Sequence, residues 1–149
     1  MKKYYHYTTE FKLEEIIESE KIKLAVASVG GKNEKACAWV SSNPQWENTA
    51  TKYESDELGN YHKLTFDEQL EKYGCARIQV EPIGLIPWNK IKHLAKMDLT
   101  YAESMVKAGI EMGGKQSEWF GSLYPIGIER WIKAEVYKNG EWIEYDVFE

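Results

Sequence analysis

The pattern of apolar and polar residues predicts that the chain begins with a strand followed by a helix. Residues 3–8 are rich in tyrosine and threonine, which is typical of a strand. From Thr9 onward, apolar residues recur at helical spacing and acidic residues crowd the first turns. This pattern predicts a helix that ends near Glu20. A short strand over 22–27 and a loop over 29–33 are expected to follow.

The next part of the chain predicts a strand, a turn and a second helix. Residues 36–41 are mostly apolar and predict a strand that ends in the turn sequence 42–44. The segment 51–63 is polar and contains glycine, so we expect a mobile excursion there. Thr65 stands three residues before a glutamate, which resembles a capping box and predicts a helix through about Tyr73.

Three further elements are predicted between residues 75 and 113. Alternation over 75–80 indicates a strand, and 88–95 is interpreted as a short helix. A second capping box, Thr100-x-x-Glu103, predicts a longer helix. Gly113 and Gly114 are expected to end that helix.

The last third of the chain predicts antiparallel strands. Residues 116–120 and 131–137 indicate two of them, and a final strand is expected over 142–148. The dipeptide Asn139-Gly140 predicts a type I′ hairpin turn between the last two strands. Because helices cluster early and antiparallel strands late, the predicted fold class is α+β.

Composition favours a single globular domain spanning 1–149. The chain has 149 residues, of which 43% are hydrophobic and 29% charged, so one hydrophobic core is expected. There is no run of about 18 apolar residues, and no apolar segment typical of a secretory signal follows the N-terminus. Cys37 and Cys75 form no disulfide framework. We therefore expect a cytoplasmic protein without a membrane partner.

Charge and motifs exclude several kinds of site. The net charge of −5 argues against non-specific binding of nucleic-acid phosphates, although it does not exclude a local basic pocket. The three histidines and two cysteines lack metal-ligand spacing, so no metal site is expected. The glycine-rich phosphate-binding motifs are missing from the sequence. Cys37 lies in an apolar strand and is interpreted as a core residue.

The first candidate for chemistry is His6, in the middle of the first predicted strand. On a strand His6 shares one face with Tyr4 and Thr8, while Tyr5 and Tyr7 point to the other. A neutral imidazole there donates to one partner and accepts from another. A half-buried histidine with only structural partners is the alternative, and spacing alone favours it.

The second candidate is the segment 39–49. Trp39 and Trp46 flank small hydroxyl and amide side chains, and such a set could clamp a ring and a ribose. The alternative is a capped turn, in which Ser42 or Asn43 supplies the capping oxygen. That alternative explains every residue except the two tryptophans.

The third candidate is Glu118, which follows a Gly-Gly hinge. A carboxylate walled by Trp119 and Phe120 could be desolvated, hold a sugar hydroxyl or stabilise a cation. The alternative is a strand-edge glutamate paired with Arg130 or a lysine. We weigh these two interpretations evenly.

The opening of the chain resembles the ADP-ribosyltransferase-like proteins, which include nucleic-acid-modifying toxins and RNA 2′-phosphotransferases. Most of the match lies in the first 25 residues, where Glu20 stands in place of the usual glycine. The matching positions are Tyr5-His6-Tyr7-Thr8, Leu13-x-x-Ile16-Ile17 and Ile22. The remainder resembles a group of small bacterial and phage proteins through Trp39-x-Ser41, Pro44-x-Trp46-Glu47-x-Thr49, Glu118-Trp119-x-Gly121-Ser122 and Arg130-Trp131.

The resemblance implies a cleft between two small antiparallel sheets, with NAD as substrate and no metal. His6 would bond to a ribose of NAD, and Ser41 would lie on the strand beside the nicotinamide. Glu118, in a Gln-x-Glu sequence, would hold the ribose 2′-hydroxyl and stabilise the oxocarbenium-like transition state. Further contacts are implied for Tyr5, Tyr7, Thr8, Trp39, Trp46 and Gln116, with Tyr53 as another candidate for the nicotinamide clamp.

Three functions follow as hypotheses. The leading one is transfer of ADP-ribose from NAD to an acceptor of unknown class, protein or nucleic acid. The first alternative is a non-catalytic module of the same fold that binds a nucleotide, for example a phage anti-defence protein that sequesters a signal. The second alternative is a protein-interaction domain with tryptophan and tyrosine anchors.

Overall fold

The protein has a mixed α+β fold, as the sequence predicts. A computed structural model of the chain describes residues 2–25 and 33–147. Within these ranges it has four α-helices, a seven-stranded antiparallel sheet and two two-stranded ribbons. The resemblance implied two small sheets with a cleft between them. In the structure seven strands form one continuous sheet.

The elements follow one another in a simple chain order. The helices are α1 (Glu10–Ser19), α2 (Phe66–Lys72), α3 (Trp88–Leu94) and α4 (Leu99–Glu111). The strands are β1 (Tyr4–Thr8), β2 (Lys21–Ile22), β3 (Ala38–Ser41), β4 (Tyr53–Ser55), β5 (Tyr61–Lys63), β6 (Ala76–Val80), β7 (Ile86–Pro87), β8 (Trp119–Ser122), β9 (Ile126–Gly127), β10 (Trp131–Lys138) and β11 (Glu141–Tyr145). The main sheet has the order β11-β10-β6-β1-β3-β8-β7, and the ribbons are β2–β9 and β4–β5.

Side-chain caps set the starts of three helices. The Thr9 hydroxyl caps α1, and Thr65 caps α2 in a complete capping box, both as predicted. The prediction for Thr100 is wrong. The carboxylate of Asp98 accepts a hydrogen bond from the backbone N–H of Tyr101 at 3.1 Å, so α4 begins earlier and Thr100 lies in its first turn.

Two segments differ from their predicted form. The excursion expected over 51–63 contains the β4–β5 hairpin, in which Tyr53 pairs with Lys63. The strand expected over 116–120 is divided into a 3₁₀ turn at Gln116–Glu118 and the start of β8. In the first segment the polar composition concealed a strand pairing, and in the second a 3₁₀ turn replaces the first half of the predicted strand.

The strand expected over 22–27 is shorter in the described residues. The strand β2 ends at Ile22, and an isolated bridge joins Ala25 to Cys37. Residues 26 and 27, and most of the loop expected over 29–33, lie outside the described residues.

The C-terminal hairpin confirms the prediction made from Asn139-Gly140. Asn139 has φ 51° and Gly140 has φ 83°, which is the left-handed pair that a type I′ turn requires. The turn joins β10 to β11 at the edge of the sheet, and β11 ends at Tyr145.

The hydrophobic core lies on both faces of the main sheet. One face packs against α1 and β2, and its buried residues are Leu13, Ile22, Ala38, Val40, Ala76, Ile78, Val80, Ile126, Ala134 and Val136. The other face carries an aromatic cluster near α2 and a second cluster near α3 and α4. Cys37 and Cys75 are both buried, so the interpretation of Cys37 as a core residue is confirmed. Burial raises the pKa of the Cys37 thiol to about 11.

A buried ion pair stiffens the aromatic face. The Arg77 Nε atom donates to a carboxylate oxygen of Glu135 at 2.8 Å, and Arg77 Nη1 donates to the carbonyl of Pro44 at 2.7 Å. The guanidinium also stacks 4.0 Å from the ring centroid of Tyr5 and 4.3 Å from that of Trp142. Arg77 therefore fixes the position of β1 relative to β6 and β10.

The sheet is weakly joined between β1 and β3, a junction that we call the seam. The strands β1 and β6 share five register pairs, whereas β1 and β3 share only Tyr5 with Ser41. Fewer ladder bonds leave the two strands free to diverge, and the site described below lies there. No helix in the described ranges is long and apolar enough to cross a membrane.

Candidate functional site

A cavity of about 470 Å³ opens at the seam. Its aromatic lining residues are Tyr5, Tyr7, Trp39, Tyr53, Trp88, Trp119 and Phe120. Its polar lining includes His6, Ser41, Glu47, Thr49 and Lys63. A largely apolar wall with a few polar groups is typical of a small-molecule site.

The His6 imidazole has a fixed tautomer. Its Nδ1 atom lies 2.7 Å from the carbonyl oxygen of Trp39, and because a carbonyl only accepts, Nδ1–H is the donor. Burial lowers the pKa of His6, so the ring is neutral at neutral pH. The Nε2 atom then carries a lone pair, and it has no hydrogen-bond partner within the described residues. A ligand that binds to this atom must supply a donor such as a hydroxyl.

The carboxylate of Glu47 is buried and held by four donors. One oxygen, Oε1, accepts from the Ser41 hydroxyl at 2.8 Å. The other oxygen, Oε2, accepts from Thr49 Oγ1 at 2.6 Å, Thr49 N at 3.2 Å and Trp119 Nε1 at 3.2 Å. These bonds compensate for burial of the charge and tie the loop after β3 to both β3 and β8. Only Oε1 retains capacity for a further donor.

The ammonium of Lys63 reaches the same cavity from the β4–β5 hairpin. Its Nζ donates to the carbonyl oxygens of Thr51 at 2.8 Å and Thr49 at 3.4 Å. It also lies 4.5 Å from the ring centroid of Tyr53. Burial lowers the pKa of Lys63, and the negative charge of Glu47 partly opposes that shift.

A close approach by α4 forms one wall of the cavity. A Cβ atom at Gly109 would lie 2.6 Å from Cη2 of Trp119, closer than real Cβ contacts occur. Glycine is therefore the residue that lets α4 reach β8. Ala102 and Gly109 are the buried residues of this helix, so only a small part of its surface packs against the rest of the protein.

The structure brings together about half of the predicted site residues. His6, Ser41, Tyr5, Tyr7, Trp39 and Tyr53 line the cavity. Thr8, Trp46, Gln116 and Glu118 are not among its lining residues.

The four outlying residues have other partners. Trp46 is buried in the aromatic cluster, where its Nε1 donates to Thr51 Oγ1 at 2.9 Å. Thr8 ends β1 and pairs with Ala76 of β6, on the side away from the seam. Gln116 lines a second cavity between α3 and α4.

Glu118 lies next to β3 and is not among the residues that line the cavity. Its Oε1 atom accepts from Asn43 Nδ2 at 3.3 Å, and its backbone carbonyl accepts from Ser42 N at 2.9 Å. The alternative pairing with Arg130 is not found among the described ion pairs. Since Trp119 pairs with Ser41, Glu118 lies beside the end of β3, on the side away from β1.

The sequence pattern did not reveal the two charged residues of the cavity, Glu47 and Lys63. Glu47 was interpreted as part of a capped turn, and nothing in its spacing reveals that it reaches Ser41 and Trp119. Lys63 ends a segment that was expected to be mobile. Both depend on contacts between residues distant in sequence or on an unexpected hairpin.

The described residues contain no group of three or more histidine, cysteine or acidic side chains placed to hold a metal ion. Comparison with protein-family models, with curated proteins and with solved structures finds no significant match for the chain.

Proposed function

We propose that the protein is an ADP-ribosyltransferase-like domain that binds NAD in the seam cavity and transfers ADP-ribose to an acceptor molecule. The observation that carries the proposal is the fixed tautomer of His6 in an aromatic cavity. Its neutral Nε2 is an acceptor suited to a sugar hydroxyl. The surrounding rings suit the flat bases of a dinucleotide.

The order of the strands also supports this proposal. The resemblance implies roles for His6, Ser41 and Glu118. These residues lie on β1, on β3 and immediately before β8, which are neighbours in the sheet. His6 and Ser41 thus lie on the two strands of the seam, and Glu118 lies on the other side of β3.

The chemistry required by the transfer fits these side chains. The bond between ribose C1′ and the nicotinamide nitrogen breaks, and neutral nicotinamide leaves with the bonding electrons. The ribose becomes cationic until an acceptor nucleophile bonds to C1′ and loses its proton. The fixed carboxylate of Glu47 in the cavity wall, and that of Glu118 from outside the cavity, would stabilise the positive charge. His6 would orient the ribose, since a neutral ring adds no opposing charge.

The test is to incubate the purified protein with NAD and to measure free nicotinamide. We expect release of nicotinamide, and a loss of at least about 100-fold in His6→Ala and Glu118→Gln, in line with the size of such electrostatic and positioning effects. His93→Ala and Glu14→Gln are matched controls, because both residues are exposed and neither lines the cavity. Equal turnover in all five proteins, or none in the unaltered one, would contradict the proposal of catalysis.

A second candidate function is a nucleotide-binding module without catalysis. It is favoured by the position of Glu118 outside the cavity and by the four hydrogen bonds that Glu47 already accepts. This candidate predicts that a bound nucleotide raises the melting temperature and is recovered chemically unchanged. Recovery of nicotinamide and ADP-ribose products would exclude it.

A further inference from the structure

The β4–β5 hairpin presents one register pair to the seam cavity. Tyr53 and Lys63 are directly opposite each other, and both line the cavity. The Lys63 ammonium lies over the Tyr53 ring at 4.5 Å from its centroid, so the ring restricts the position of the charge. The hairpin thus adds a flat ring and a positive charge to one wall.

Lys63 is the only lysine or arginine among the residues that line this cavity in the described part of the chain. His6 is neutral there at neutral pH, so it supplies no second positive charge. The fixed charge of Glu47 is negative. An anionic ligand in the cavity would therefore depend on Lys63 for charge compensation.

The hydrogen bonding of Lys63 leaves room for such a ligand. An ammonium has three donors, and two of them go to the carbonyl oxygens of Thr51 and Thr49. The contact with Thr49 is long, at 3.4 Å, and the third donor has no partner within the described residues. The side chain is held in place while part of its donor capacity is unused.

We infer that Lys63 binds the phosphate groups of the nucleotide in the seam cavity and so selects phosphorylated ligands over the corresponding nucleosides. This inference rests on the proposed function, because it assigns a contact within the same site. It goes beyond that function by assigning phosphate recognition to the hairpin.

The test compares the binding of ADP-ribose and adenosine by calorimetry. In Lys63→Met we expect the affinity for ADP-ribose to fall by about tenfold or more, the loss typical of one hydrogen bond to a charged group. The affinity for adenosine should change by less than about twofold, and Lys63→Arg should retain most of the affinity for ADP-ribose. The salt dependence of ADP-ribose binding should weaken in Lys63→Met, because a charge pair is lost.

Lys52→Met is the matched control. Lys52 precedes the same hairpin, lies near the Tyr73 ring and does not line the cavity. Unchanged ADP-ribose affinity in Lys63→Met would overturn the inference while leaving the proposed function intact. An equal loss for adenosine would overturn it too, by assigning Lys63 a packing role. If the unaltered protein bound neither ADP-ribose nor NAD, both the inference about Lys63 and the proposed function would be wrong.

Discussion

The imidazole of His6 donates to the backbone carbonyl of Trp39 across the seam, at 2.7 Å. Trp39 lies on β3, and the backbone ladder between β1 and β3 has Tyr5 with Ser41 as its one register pair. A side chain therefore supplies a bond where a regular sheet would use its backbone. The same bond leaves Nε2 as the ring atom available to a ligand. One hydrogen bond therefore both joins β1 to β3 and leaves Nε2 of His6 free to bind a ligand.

We predict that His6 makes the protein less stable as the pH falls below 6.5. Its pKa is lowered from 6.5 in the folded protein, mainly by burial. Below 6.5 the unfolded chain binds a proton that the native ring does not yet bind. The free energy of unfolding should therefore fall with decreasing pH until the lowered pKa is reached. Urea titrations of the unaltered protein and His6→Gln over this range measure the difference.

The variant His93→Gln is the control for this experiment. His93 is exposed on α3 and does not line the cavity, so His93→Gln removes a histidine away from the seam. If His6→Gln and the unaltered protein lost stability in parallel below pH 6.5, the assigned shift would be wrong.

We predict that Glu47→Gln destabilises the protein by about 2 kcal/mol or more, because the amide cannot accept from all of the donors now bound to the carboxylate. Thr49 and Trp119 both donate to the same oxygen, and Ser41 donates to the other. An amide nitrogen on the side of Thr49 and Trp119 would face two N–H groups that can only donate, and on the other side it would force the Ser41 hydroxyl to accept instead of donate. Urea denaturation measures the change.

Glu14→Gln is the matched substitution at an exposed position of α1. It should change the free energy of unfolding by less than about 0.5 kcal/mol. A loss of similar size in both variants would mean that the four bonds of Glu47 contribute little.

We predict that Gly109→Ala separates α4 from β8. The added methyl would lie 2.6 Å from Trp119 Cη2 and 3.2 Å from Thr49 Cγ2, so the helix or the indole must move. A cost of about 1–3 kcal/mol is expected from overpacking, offset by up to about 1 kcal/mol from the better helix propensity of alanine. Ligand affinity should fall as well, since Gly109 and Trp119 both line the cavity. Thermal unfolding and calorimetry measure the two effects.

Lys107→Ala, at an exposed position of the same helix, gives the comparison. It adds no contact with β8 and should leave both measurements within error. Full ligand affinity in Gly109→Ala would show that α4 does not need its close approach to form the cavity.

We predict that Arg77→Met destabilises the protein by about 3 kcal/mol, because Glu135 would lose its buried partner. The Arg77 Nε and Glu135 Oε1 atoms are 2.8 Å apart, and both side chains are buried. Lys133 approaches the other Glu135 oxygen only at 3.7 Å and cannot replace the guanidinium. Urea denaturation measures this loss.

The exposed pair of Lys12 and Glu15 provides the contrast. Lys12→Met should cost less than about 1 kcal/mol, as solvent screens such pairs. If the two methionine variants were equally stable, the buried pair would have no special role in holding the aromatic face.

Local chemistry was sufficient to predict most of the elements. The strand before Thr9, the capping box at Thr65 and the hairpin turn at Asn139-Gly140 were all predicted correctly. Each depends on residues that are close in sequence, such as a hydroxyl and an N–H three positions away. The α+β class followed from the order of these elements.

Competing local signals produced the errors. Thr100-x-x-Glu103 has the spacing of a capping box, but Asp98 offers a carboxylate two residues earlier and takes that role. The polar composition of 51–63 indicated an excursion, although Tyr53 and Lys63 pair across a turn. A local pattern does not show which of two possible partners is used.

The candidate site could be predicted only in part from the sequence. The sequence predicted that His6 and Ser41 lie on strands and named both as site residues, and both line the cavity. The tertiary structure decided that Glu47, rather than Glu118, supplies the carboxylate of the cavity wall, because its donors come from Ser41, Thr49 and Trp119. These contacts span up to 72 positions along the chain and exist only where β3 and β8 pair. Periodicity describes each strand by itself, whereas a site between strands depends on the register that packing selects.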